Sequence, residues 1–173
     1  ENCENIITIS KFNEKINREL FDLGHTKLIY NGIDVRFFKR EASADQIEKS
    51  VFYLGNVSAE KGADVLLGNF IKIKEKFADA TLHFVGKSND FPEKVANEFS
   101  DSAFQKSVIF HGKKSQTEIV QLLSKAEVIC FPSKGENFSL SLLEAMALKK
   151  PVICSDIPSF TEIILNKENG MIA

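Results

Sequence analysis

The sequence predicts an α/β protein built on a doubly wound parallel sheet. Three observations carry that expectation. Short β-branched and aromatic runs recur seven times along the 173 residues. Those runs are apolar throughout, as strands covered on both faces are. Segments of helical period separate them, as βαβ units require.

Taken in order, the strand-like runs are NIITIS (5–10), KLIY (27–30), VFYLG (51–55), TLHFVG (81–86), VIFHG (108–112), EVICF (127–131) and PVIC (151–154). Helix candidates fill the gaps at 11–23, 62–77, 92–104, 116–126, 139–148 and 158–165. Ser115 followed by Glu118 forms a capping box that opens SQTEIVQLLSKA, a good helix start. Residues 31–49 break the rhythm, with an Asn31-Gly32 turn signal and then a polar, charge-rich run. That stretch predicts a linker between a leading β-α-β piece and a main body from about residue 50. No repeat of ~20–50 residues is visible. At the far end ENGMIA stops just as a new strand begins, so the helices expected to cover the sheet fall outside the chain.

Composition narrows the function classes. A formal net charge of -2 selects neither nucleic acid nor an anionic membrane surface. No window approaches the ~18 apolar residues of a membrane span. The opening ENCENIITIS has no initiator Met, basic n-region or cleavage site, which reads as an internal start and not a signal peptide. The three cysteines are odd in number, and Cys130 and Cys154 sit in strand-like runs, as buried small hydrophobes of a reducing compartment do. Asn56-Val57-Ser58 and Asn137-Phe138-Ser139 are chance sequons in that setting.

In an open parallel sheet, ligands bind beyond the carboxyl ends of the strands. The loops there carry Lys61, Lys87, Lys113 with Lys114, and Lys134. Any one lysine in a loop is ordinary; their collective placement favours an anion-binding rim. FVGKS at 84–88 resembles the tail of a P-loop, but Thr81 stands where its first glycine is required. No GxGxxG follows a strand, which disfavours a nicotinamide or flavin domain. His25, His83 and His111 are scattered and read as structural, and no His/Cys/Asp cluster has metal-ligand spacing.

The stretch PSKGENFSLSLLEAMALKKPVICSD offers a better phosphate site. A Pro/Gly loop enters a helix near Phe138–Leu140, where free N–H groups and the helix dipole suit a diphosphate. Ser139 is equally a plain N-cap. Glu136 stands in the loop, beside whatever hangs on the phosphate. Glu144 lies near the second turn of a helix otherwise filled with Leu, Ala and Met. A carboxylate there needs partners, and adjacent sugar hydroxyls are good ones. A solvent-facing acid is the plain alternative.

With these residues in view, the chain resembles the family 4 retaining glycosyltransferases of the GT-B fold, in the Rossmann-like C-terminal half that binds the donor nucleotide. NIITISKFNEKI is similar to the family's last N-domain strand and helix, and KLIYNGIDVRFF to its inter-domain segment. YLGNVSAEKGADVLL is similar to its Gly-Arg…Glu-Lys-Gly segment, and GENFSLSLLEAMALKKPVI to its Glu-x7-Glu motif. The resemblance implies a tail of the N-terminal domain and linker over 1–40, and a nucleotide-sugar-binding domain over 41–173 that is truncated at its C-terminus. It also implies roles. Glu136 contacts the donor sugar, the backbone of Asn137, Phe138, Ser139 and Leu140 holds the diphosphate, and Glu144 binds the ribose. Lys61 neutralises the departing diphosphate. His111, Gly112 and Lys113 border the base, mainly through backbone groups.

The implied activity is a hexosyl-type transfer, EC 2.4 class, from a nucleoside-diphosphate sugar (UDP or GDP) with retention, in bacterial polysaccharide or glycolipid synthesis. Such enzymes need no metal or other cofactor. The implied partners are the donor, an acceptor and an N-terminal domain without which this chain is inactive. The implied location is the cytoplasm, with room for peripheral association at the membrane face. Three positions depart from the family pattern: Asn56 replaces its arginine, Glu-Asn-Phe-Ser replaces Glu-Gly-Phe-Gly at 136–139, and Lys150 replaces a glycine. Asn56 favours an alternative, a non-catalytic GT-B-like nucleotide-binding module.

Overall fold

A computed structural model describes residues 6–22, 26–40, 44–98 and 102–173. The leading piece is strand β1 (Ile6–Thr8), helix α1 (Lys11–Phe21) and strand β2 (Thr26–Leu28), and its two strands pair in parallel. The main body strings β3 (Ser50–Leu54), α2 (Ala63–Lys76), β4 (Thr81–Val85), α3 (Phe91–Glu98), α4 (Ser102–Ser107) and β5 (Val108–Gly112). It continues through α5 (Gln116–Ser124), β6 (Val128–Phe131), α6 (Leu140–Ala147), β7 (Val152–Cys154), α7 (Pro158–Thr161) and β8 (Met171–Ile172). The six strands of the body form one parallel sheet in the order β5-β4-β3-β6-β7-β8. The expected doubly wound parallel sheet is the fold, and β8 is the strand beginning at the chain end.

Strand periodicity divides the core into two layers. Phe52, Leu54, Val85 and Ile129 face Val120 and Leu123 of α5 and Leu142 and Ala145 of α6. Val51, Tyr53, Leu82 and Phe84 face Leu66, Leu67 and Phe70 of α2. All five residues of β3 are buried, which explains why that run showed no polar alternation.

Three elements bear on the sequence expectation. Of the helix expected at 92–104, α3 covers Phe91–Glu98 and α4 begins at Ser102, and residues 99–101 lie outside the described residues. The helix expected at 158–165 ends at Thr161, and the Asn169 side chain accepts from Leu165 N–H at 2.8 Å to hold the turn that follows. Within the linker expected over 31–49, Phe38 is buried in the core and Ile33 and Ile47 pack against it.

The two histidines in strands are joined by register. His83 Nδ1 lies 3.0 Å from His111 Nε2, and His83 Nε2 lies 3.0 Å from Thr81 Oγ1. The His83 ring stacks on Phe52 with centroids 4.2 Å apart. His25 lies outside the described residues. The sequence expectation places the missing glycine at Lys150, but the residue at the end of α6 whose backbone favours glycine is Lys149. Lys149 takes the left-handed conformation with φ 55°, and the buried Lys150 ammonium donates to Ala126 O at 2.8 Å. Burial, followed by the Arg40 charge, lowers the Lys150 pKa.

Burial, then the facing His111, lowers the His83 pKa to about 4, so the fold keeps His83 neutral. Its contribution is complete above the unfolded value near 6.5 and disappears as pH falls toward 4, a loss of up to about 3 kcal/mol. Denaturant titration at pH 7 and pH 4.5 should show that decline, and His83→Phe should flatten it; an equal decline in the variant contradicts the assignment. Separately, Lys149→Gly removes a left-handed penalty of roughly 1 kcal/mol. Tm should rise about 2–4 °C, and an unchanged or lower Tm contradicts it.

Candidate functional site

The strand order turns at β3. The chain runs outward through β4 and β5, then returns to place β6 on the other flank of β3. The loops after β3 and β6 therefore leave for opposite faces and open a crevice between them. Lys61 ends the first loop and Glu136 stands in the second. They meet there, Lys61 Nζ to Glu136 Oε1 at 3.0 Å.

Neighbours fix both side chains. Lys61 Nζ also donates to Gly135 O at 3.3 Å, and Ser133 Oγ donates to Glu136 Oε1 at 3.1 Å. Tyr53, buried at the carboxyl end of β3, donates its hydroxyl to Asn56 O at 2.5 Å. Burial, and then the Glu136 charge, push the Tyr53 phenol well above its ordinary range. Gly62 sets the approach of the two loops. It has φ 72°, and a Cβ there would stand 1.9 Å from Pro132 O.

Helix α6 opens directly onto the crevice. Ser139 is its N-cap and accepts from Leu142 N–H at 3.2 Å. This leaves the N–H groups of Leu140 and Ser141 at the helix start, ahead of any intrahelical acceptor. Neither Asn137 nor Ser139 is among the described residues with positive φ, so a side chain fits at both positions where the family has glycine. Ser141 lines a pocket of about 240 Å³ with Asn56, Lys61, Glu136 and Ser139. Glu144 follows Ser141 by three residues and so lies on the same helix face one turn on. Its half-buried carboxyl has its pKa raised by desolvation, and no side-chain partner holds it among the described residues.

Two further hollows adjoin that pocket. One, of about 280 Å³, shares Leu54, Gly55 and Asn56 with it and is walled by Lys87, Lys113 and Lys114. His111 turns its ring toward His83, and Gly112 takes φ 68° at the end of β5. The other, about 720 Å³, is lined by Lys61, Glu136, Asn137, Phe138 and Ser159, with Phe12 of the leading piece on its far side.

Glu162 ties that leading piece down. Its carboxylate accepts from the N–H groups of Lys11 and Phe12, each at 2.9 Å, while Ser10 Oγ accepts from Asn13 N–H at 3.1 Å. The first three N–H groups of α1 are thus satisfied, two of them from across the fold. Tyr30 packs on Phe138 with ring centroids 5.6 Å apart, a second clamp directly on the site loop.

The structure thus gathers Asn56, Lys61, Glu136, Ser139 and the start of α6 around one pocket, with Lys113 in the adjoining hollow. His111 and Gly112 are neighbours in sequence, and neither lines the two pockets just described around Asn56. Sequence reasoning missed Tyr53, Ser133 and Glu162. Tyr53 was findable as the polar-tipped residue ending a strand on this edge. Ser133 and Glu162 gave no sequence signal, because their partners are distant or depend on loop geometry.

Comparison with known proteins gives the family and the fold. The family model for glycosyl transferases group 1 matches residues 34–173. An uncharacterized glycosyltransferase of Methanocaldococcus jannaschii is 29% identical over 99% of this chain and 47% of its own length. The O-antigen chain mannosyltransferase of Salmonella typhimurium is 28% identical over 95% of this chain and 45% of its own. The chain therefore spans about half the length of these curated relatives. Among solved structures, HepE of Anabaena in complex with UDP and glucose superimposes with TM-score 0.82 at 20% identity, covering 99% of this chain and 49% of its own. Sucrose-phosphate synthase of Thermosynechococcus elongatus gives 0.83 at 24% identity, over 99% and 45%. At that identity the likeness is one of fold, the parallel α/β fold of these GT-B glycosyltransferases. With the family model covering the whole of the main body, the chain belongs to the glycosyl transferases group 1 family.

Proposed function

We propose that this chain is the donor-binding half of a family 4 retaining glycosyltransferase, with residues 1–40 the tail of the N-terminal domain and 41–173 the nucleotide-sugar-binding domain. The observation that carries the reading is the Lys61–Glu136 pair at 3.0 Å in the crevice where α6 begins. An ammonium, a carboxylate and a helix start sharing one pocket suit a ligand that joins a diphosphate to a polyol.

In this reading the backbone of Asn137–Leu140 and the Lys61 ammonium hold the diphosphate, and Glu136 accepts hydrogen bonds from the donor sugar. Glu144 takes the two ribose hydroxyls, and Lys113 borders the base. The reaction breaks the bond from the anomeric carbon to the diphosphate oxygen and forms one to an acceptor hydroxyl oxygen on the same face, the hydroxyl proton passing to the departing diphosphate. Lys61 steadies the negative charge that develops on the departing nucleoside diphosphate. No metal or cofactor enters this scheme. The acceptor binds on the far side of the 720 Å³ cleft, in the half that this chain lacks, so the chain binds nucleotide without turning it over. Polysaccharide or glycolipid synthesis at the cytoplasmic face of a membrane suits such a chemistry. Among the described residues no helix is long and apolar enough to cross a membrane.

A second reading, a nucleotide-binding module without transferase activity, is favoured by one feature: Asn56 leaves the pocket short of a cation.

Calorimetry with UDP, GDP, ADP and their sugars tests the main proposal. One of them should bind, and Glu144→Ala should weaken it by about 1–3 kcal/mol through loss of a ribose partner. Unchanged affinity in that variant refutes the ribose role.

A further inference from the structure

The nucleotide reading leaves the diphosphate with one cation, and that cation is partly committed. Lys61 already faces Glu136 at 3.0 Å, and Asn56 brings no charge. A cation that replaces the missing charge must lie near Asn56. The hollow that shares Leu54, Gly55 and Asn56 with the site pocket contains three lysines, Lys87, Lys113 and Lys114.

They are not equivalent. Lys114 is held by Glu118 at 3.0 Å, within the capping box of α5. Lys113 follows β5, two strand spacings (roughly 10 Å) from β3. Lys87 follows β4, one spacing away, and two backbone contacts lock its loop to the loop of Asn56. Its carbonyl accepts from Val57 N–H at 2.8 Å. Just before it, Gly86 with φ 147° lies so close to Gly55 that a Cβ would stand 1.9 Å from Gly55 O. Any shift of one loop therefore carries the other. Among the described residues no carboxylate engages the exposed Lys87 ammonium.

We propose that Lys87 supplies the second cation for the diphosphate, replacing the charge that Asn56 does not bring. The proposal rests on the nucleoside-diphosphate reading of the site. Lys87 acts as a binding residue for the leaving group, one strand over from the position the family fills with arginine.

Calorimetry on this chain separates the two ideas. The wild type is titrated with UDP and uridine, with GDP and guanosine and with ADP and adenosine in parallel, to find the diphosphate that binds. For that pair, Lys87→Ala should weaken the diphosphate at least fivefold and its nucleoside less than twofold, and Lys87→Arg should retain affinity. Adding Asn56→Arg to Lys87→Ala should return diphosphate affinity to within twofold of wild type. Unchanged diphosphate binding in Lys87→Ala, an equal loss for the nucleoside, or no rescue by Asn56→Arg overturns the proposal and leaves the nucleotide reading standing. A wild type that binds none of the diphosphates overturns both.

Discussion

The contact between Lys61 and Glu136 depends on a fact of topology. Their loops meet only because β6 returns to lie beside β3, while the chain between them winds outward through β4 and β5. The two strands are parallel, so both loops exit on one edge of the sheet. The pair itself contributes little stability, since each side chain keeps a fifth to a quarter of its surface exposed. Its value is positional: two opposite charges stand at hydrogen-bonding distance over a helix start. Much around them serves that arrangement. Gly62 lets the loops approach, Ser133 braces the carboxylate, and Tyr53 holds the backbone of Asn56.

The crevice has a second wall, and the wall is clamped on. Glu162 closes the N-terminus of α1 with two charge-assisted hydrogen bonds, and Tyr30 rests on Phe138. Both clamps grip residues next to the site, so the position of the leading piece and the shape of the 720 Å³ cleft are set together.

The strands, the capping box at Ser115 and the helix entered at Ser139 were legible in the sequence because each is a local pattern: an apolar run, a spaced Ser/Glu pair, a loop opening into an apolar helix. Glu136 and Glu144 stood out for the same reason, as acids in a segment that reads as buried. What the sequence concealed depends on register and contact. Nothing local announces that His83 and His111 share a hydrogen bond across two strands, or that Phe38 anchors an otherwise polar stretch. The resemblance supplied the roles of Lys61 and Asn56, which spacing alone could not assign. The lysines after each strand were visible as a rim. Which of them stands beside Asn56 became clear only from the strand order.

The central claim is that the crevice between the β3 and β6 loops binds a nucleoside diphosphate. Amide chemical-shift mapping of the isotope-labelled chain, titrated with UDP, GDP and ADP, tests it most directly. The account predicts saturable shifts concentrated at Gly55–Gly62 and Ser133–Glu144, with Gly86, Lys87 and Lys113 following and the far ends of the same strands unmoved. Shifts confined to another surface, or none with any of the three, would contradict it.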